Sequence, residues 1–249
     1  MVSSRPEQRV TVPLVTMAGW AQQTFVHWPV PAASVRALLP AGLEPDVFDG
    51  SAWVSFTPFL LVDVRPLGAV RLPGPHAIPE TNLRTYVRGP DGRDGLWFLS
   101  AEITHPLVAL FARGMLGVPY RLFTARVGAE AGDLVYSGRR GGAGPSYRLR
   151  VRPGAVREPS ERDVWLTGRW GAYSRRLGVL LRTPVSHAPW ALRDAVVEDL
   201  EQDLTTAVGL PPTEALPSPV VHCSGGVGDV RFSWSRPAGR QGLRDAGRD

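Results

Sequence analysis

The chain of 249 residues contains no lysine: all 28 of its Lys-or-Arg positions are arginine. Every mechanism built on a lysine amine is thereby excluded. That covers a Schiff base with a carbonyl substrate, a pyridoxal-phosphate linkage and the lysine of a phosphate loop or kinase strand. Arginine has GC-rich codons and lysine does not, so coding bias accounts for the composition, and the chemical consequence is the same. Cysteine is almost as scarce. Cys223 stands alone, so neither an intrachain disulfide nor a cysteine-based zinc cluster can form. No apolar run approaches the roughly 18 residues of a membrane span. The first residues, with Ser3, Arg5, Glu7 and Arg9, lack the apolar core of a signal peptide. A cytoplasmic protein without a membrane partner is expected.

What is present describes an ordinary globular chain. Hydrophobic residues make up 43% and charged residues 20%, enough apolar material for a sizeable core. The 27 glycines and 24 prolines predict many turns and few long helices. A net charge of +5 is weak for a nucleic-acid binder. Part of it sits in the tail, at Arg236, Arg240, Arg244 and Arg248, and the tryptophans interleave with no basic patch. No nucleic-acid partner is expected.

One domain over 13–235 is predicted, with poorly ordered tails at 1–12 and 236–249. Trp20–Trp28 reads as a strand with Trp20, Gln22, Thr24, Val26 and Trp28 on one face. A short helix follows near 32–39, then an Asp49-Gly50 hairpin turn and an apolar run over 52–64. Strands are predicted near 81–88 and 96–104, a helix from Pro106 to about Leu116, and three strands over 120–152. Leu192, Val196, Leu200, Leu204 and Val208 recur every fourth residue and predict a helix ended by Gly209. Two last strands are placed near Val220 and Val230. The class is α+β: a large, curved, mostly antiparallel sheet, able to curl into a barrel, with a few surrounding helices.

The segment Glu80-Thr81-Asn82-Leu83-Arg84-Thr85-Tyr86 is the most informative. Strand side chains alternate, so Glu80, Asn82, Arg84 and Tyr86 share one face. That face is a solvent face, the polar wall of a cavity, or a buried network in which Arg84 pairs with Glu102. In a cavity, Arg84 would hold a carboxylate and Glu80 would act as acid or base. His27 and His187, the latter in Ser186-His187-Ala188-Pro189-Trp190, could converge there with Trp190. His222 and Cys223 are neighbours on a strand and point to opposite faces, so Cys223 reads as a small buried thiol. Gly225-Gly226-Val227-Gly228 reads as a turn. No spacing matches a metal motif or a nucleotide-binding loop, so neither metal nor cofactor is expected.

Taken in order, several stretches resemble the YqjF-like conserved bacterial family, a domain of unknown function. They are His27-Trp28-Pro29-Val30-Pro31, Phe48-Asp49-Gly50, Glu80 to Val87, Gly95 to Ser100, Val118-Pro119-Tyr120, Ser186 to Trp190, and His222. That family looks related to acetoacetate decarboxylase, which implies a barrel-like antiparallel sheet around an internal cavity. The decarboxylase sets a lysine pair before a Leu-Gly-x-Pro stretch. The comparable positions here are Gly114 and Met115, ahead of Leu116-Gly117-Val118-Pro119. Its Schiff-base chemistry is therefore not implied.

The functional expectation is an enzyme, or else a non-catalytic binding protein, for a small carboxylate or carbonyl compound. As an enzyme it would be a lysine-independent lyase, hydratase or isomerase. Glu80, Arg84 and His187 are the candidate catalytic residues, and His27, Asn82, Tyr86 and Trp190 the candidate substrate-binding ones. A structural protein with a filled barrel is the third reading, and a homo-oligomer is compatible with all three.

Overall fold

A computed structural model describes residues 10, 12–68 and 70–239. The elements are β1 (Val15–Val30), α1 (Ala32–Arg36), β2 (Glu44–Pro45), β3 (Ala52–Val62), β4 (Arg65–Pro66), β5 (Ala77–Arg88), β6 (Asp94–Ile103), α2 (Pro106–Met115), β7 (Tyr120–Glu130), β8 (Asp133–Arg140), β9 (Ser146–Val156), α3 (Glu161–Thr167), β10 (Gly171–Arg176), β11 (Val179–Ser186), β12 (Arg193–Gln202), α4 (Leu204–Ala207), β13 (Val220–Phe232) and β14 (Arg236–Pro237). The α+β class and the large, mostly antiparallel sheet are as expected.

Among the described residues fourteen strands form one sheet, made mixed by the parallel pairings of β6 with β7 and with β10. It is not a regular barrel. Strands β13, β1, β3, β5 and β6 pair in succession and form a common wall. One end of that wall is joined to the other by two routes. The first runs from β6 through β10 and β11 back to β13. The second runs through β7, β8, β9 and β12.

Each ring of strands has its own interior. Phe25, Phe59, Leu61, Ile78 and Val230 belong to a cluster within the first ring, onto which α2 packs Val108, Ala109 and Ala112. Val26, Trp28, Phe56, Leu83, Tyr136 and Leu149 fill the second. The common wall is therefore covered on both faces. This explains why β3 is apolar almost without alternation and buried along most of its length.

Local chemistry sets the connections. Asp49 and Gly50 both take positive φ, 52° and 74°, as a two-residue hairpin turn requires. His105 caps α2, its Nδ1 accepting from the Val108 N–H at 3.4 Å, with Pro106 in the first turn. Ser160 and Asp163 form a capping box that starts α3.

Four expectations are corrected. The predicted helix over 192–208 is strand β12 followed by the short α4. Positions four apart share a face in a strand as they do in a helix, so that spacing did not discriminate. The inward side chains are Ala195, Val197 and Leu200, whereas Val196 is 51% exposed. Acidic residues between these positions form ion pairs with arginines of β9, Glu198 with Arg152 and Glu201 with Arg148.

Trp20 does not share a face with Val26 and Trp28. A β-bulge lies between Ala21 and Val26, and Gln22 takes φ 47°, so Trp20, Phe25 and His27 face the first ring. The two last strands are one, β13. Gly226, at φ 135°, sits where a Cβ would lie 2.1 Å from the Trp20 carbonyl oxygen, so the glycines admit the close approach of β1 and do not make a turn. Arg236 and Pro237, assigned to a tail, pair with β11 as β14. Residues 1–9, 11 and 240–249 lie outside the described residues.

Candidate functional site

The first ring is not completely filled. Between its strands and α2 lies a pocket of about 100 Å³ open to the centres of water molecules. By the same measure one water needs roughly 10–15 Å³, so the space suits several waters or a small organic molecule. Most of the lining is apolar, with a compact polar group on one side.

That group is built on β5. Glu80, Asn82 and Arg84 project into the pocket from alternate positions. The opposite face of the same strand enters the second ring, where the Thr81 hydroxyl meets the Tyr147 hydroxyl at 2.7 Å and Leu83 is fully buried. Both faces of this segment are therefore interior, and the solvent-face reading is excluded. The pairing of Arg84 with Glu102 does not form either. Glu102 bonds Arg140 and Ser100 across the other ring, and Arg84 stands opposite Phe98.

Glu80 is 3% exposed. Its Oε1 accepts from Asn82 Nδ2 at 2.8 Å and from the Tyr120 hydroxyl at 2.7 Å, while Oε2 has no partner. Burial pushes the carboxyl up to about 7, against the opposing pull of Tyr120, Asn82 and the Arg84 charge. Arg84 is half-buried, lies over the Phe25 ring at 5.6 Å, and has an unpartnered Nε. Burial draws its pKa down, and the nearby Arg169 adds repulsion.

Arg169 is a second guanidinium on the pocket, following α3. Its Nη1 donates to Asp46 at 2.7 Å and Asp94 at 2.9 Å, and its Nε to the Trp165 carbonyl at 2.9 Å. It stacks on the Trp165 and Tyr86 rings, and its buried Nη2 has no partner. Sequence reasoning missed both Arg169 and Tyr120. The aromatic neighbours Trp165 and Trp170 were the only local sign for Arg169, and Tyr120 stood out only as part of the Val118-Pro119-Tyr120 stretch of the resemblance, with no role attached.

His187 and Trp190 also line the pocket, in an aromatic box with Trp20 and Trp170. Trp20 stacks on Trp190 at 5.7 Å. His187 Nδ1 lies 2.6 Å from the Ala188 carbonyl, which makes it the protonated nitrogen and leaves Nε2 as an acceptor. Burial holds this imidazole down to about 4.

His27 and Tyr86 lie on the same side of the wall as the pocket, packed beside it, and do not line it. The Tyr86 hydroxyl donates to the Leu166 carbonyl at 2.8 Å and meets His27 Nδ1 at 3.1 Å. Burial, with the charges of His222 and Arg84, keeps His27 well below its ordinary pKa. Behind it, His222 Nε2 lies 3.0 Å from the Asp163 carboxylate. Burial raises Asp163, but Ser160, His222 and Arg157 outweigh it and leave the group below its usual range. Among the described residues no group of His, Cys, Asp and Glu is arranged to hold a metal ion. No helix there is long and apolar enough to cross a membrane.

The fold is that of the acetoacetate decarboxylase-like proteins. The chain superimposes on an acetoacetate decarboxylase from Legionella pneumophila with a TM-score of 0.61 at 14% identity, covering 93% of this chain and 90% of that one. The enduracididine biosynthesis enzyme MppR, in a complex with pyruvate, matches with a TM-score of 0.62 at 16% identity over 93% of both chains. At these identities the likeness concerns the fold alone. Within that class, the chain belongs to the DUF2071 family of uncharacterized conserved proteins, whose model matches residues 17–228. It is 34% identical over 209 residues to the uncharacterized protein YqjF of Bacillus subtilis, covering 82% of this chain and 84% of that protein. Gly114 and Met115, where the resemblance would set the lysine pair, differ in setting: Gly114 is exposed, with open space where a side chain would begin, and Met115 packs against the core.

Proposed function

We propose that the chain is an acid/base enzyme for a small organic acid or carbonyl compound, working without a covalent intermediate. Glu80 carries this reading. Its carboxyl is pushed up to about 7, its Oε2 is unpartnered, and Arg84 and Arg169, each with an unpartnered N–H group, line the same pocket. A group near neutrality can both take and return a proton. Two guanidinium groups can grip a carboxylate and stabilise the negative charge of an enolate. MppR holds pyruvate, a carboxylate beside a carbonyl, and those are the groups this cluster suits.

The division of labour follows from the surroundings. Arg84 and Arg169 bind and polarise. Glu80 moves the proton at the carbon next to the carbonyl, and Asn82 and Tyr120 hold its other oxygen. His187 stays neutral and accepts a hydrogen bond at Nε2. Trp190 walls the site, while His27 and Tyr86 support Arg84 and Arg169 from beside it. A lysine-independent lyase, hydratase or isomerase step fits this set.

The test is proton exchange into a panel of 2-oxo and 3-oxo acids in D2O, followed by NMR. Wild type exchanges the α-proton of one of them. Glu80→Gln lowers that rate by on the order of 100-fold, and Arg84→Ala raises KM. If both variants exchange like wild type, the assignment is wrong. A ligand that raises Tm yet exchanges in no variant marks a binding protein.

A further inference from the structure

We infer that the pocket takes an amphipathic ligand, a carboxylate with an apolar tail of several carbons, rather than a compact polar acid. This rests on the reading that the charged cluster holds a carboxylate, and it names the rest of the molecule.

The wall shared by β3 and β5 changes character along its length. Its rungs run Ser55 opposite Arg84, Thr57 opposite Asn82, Phe59 opposite Glu80, and Leu61 opposite Ile78. One end is polar and the other apolar, and the change falls at Glu80. Strands rise roughly 3.3 Å per residue, so the wall extends about 7 Å beyond Glu80 to the next rung alone. The apolar lining also includes Val64, Leu72, Phe111 and Leu116, with Met17 and Phe232 from the neighbouring strands.

None of these side chains carries a hydrogen-bonding group, and the Ser174 hydroxyl beside them is already given to the Leu116 carbonyl at 2.6 Å. A ligand confined to the charged end would leave this apolar surface facing water that has few polar partners. Displacing such water with a hydrocarbon tail is favourable, and displacing it with further polar groups is not. The tail also places the reacting carbon. With the carboxylate on Arg84 and the chain running towards Leu61, the carbons next to the carboxylate pass Glu80.

Binding of straight-chain carboxylates from acetate to octanoate, read by calorimetry and by fluorescence of the Trp20–Trp190 stack, tests this. Kd is expected to fall roughly threefold to fourfold per methylene until the apolar end is full, with 1-hexanol at least about tenfold weaker than hexanoate. Phe111→Ser, on the half-buried face of α2, should flatten the chain-length dependence and leave acetate binding in place. Leu72→Asn does the same from a loop if the α2 variant folds poorly. Equal Kd for acetate and hexanoate in wild type overturns the inference. If Glu80→Gln still abolishes exchange in that case, the acid/base reading survives without it. Hexanol binding as tightly as hexanoate removes the carboxylate, and both proposals fall.

Discussion

At Glu80 three neighbours favour the carboxylate and burial opposes it, and burial wins. The carboxyl therefore keeps its proton far above its ordinary value of 4.5, up to about 7. A group whose pKa is raised by folding stabilises the native state in full below its unfolded pKa. That stability is lost as the pH climbs to the folded value. Wild type should thus lose stability relative to Glu80→Gln as the pH rises from about 5 to 8, by on the order of 2–3 kcal/mol. The amide keeps an oxygen for Asn82 and Tyr120 but does not titrate. Urea unfolding of both proteins across this range measures the difference, and parallel curves would place the titrating group elsewhere. The histidines show the same competition with the opposite sign. His187 and His27 are buried without an anionic partner and stay neutral. Which of the sequence's polar residues would be titratable near neutrality was hidden, because it depends on what surrounds them in space.

At the level of the element, strands with turn chemistry at their ends were legible. The 49–50 turn, the Pro106 helix start and the three strands β7 to β9 lie where residue type and alternation place them. Two elements were misread for one reason, that periodicity does not report the partner. For β12 the four-residue spacing fits helix and strand alike, and only pairing with β9 chooses. For β1 the bulge at Gln22 moves Trp20 to the pocket side, and nothing in the alternating pattern announces it. The strand assignment has a sharp consequence. Val197→Asp should cost about 3 kcal/mol, since its carboxylate would enter the second core. Val196→Asp should cost well under about 1 kcal/mol on the exposed face. A helix with the Leu192–Val208 stripe inward would reverse that order in thermal denaturation.

In the whole molecule, the common wall separates a packed interior from an unfilled one, and adjacent residues of β5 serve opposite sides. Leu83 is fully buried in the second cluster, and Arg84 lines the pocket. Leu83→Ala should lower stability by about 2–4 kcal/mol through the cavity it leaves, with ligand affinity close to wild type. Arg84→Ala should weaken carboxylate binding by about tenfold or more, with a smaller effect on stability. Paired chemical unfolding and calorimetry on the two variants would show this exchange. If Leu83→Ala alone disturbed binding, the two interiors would not be independent.

The sequence by itself determined what chemistry is impossible here. Without lysine there is no Schiff base on any fold, because arginine stays protonated and does not attack a carbonyl. It also determined the α+β class, most strand boundaries and the alternation that sets Glu80, Asn82 and Arg84 side by side. Only the tertiary structure decided that both faces of that strand are interior. It also decided that Arg169 and Tyr120 join the cluster from distant segments, and that His27 and Tyr86 pack beside the pocket without lining it. Alternation fixes which side chains travel together along one strand. What lies across from them is set by strand pairing and ring closure, and these depend on contacts between segments far apart in the chain.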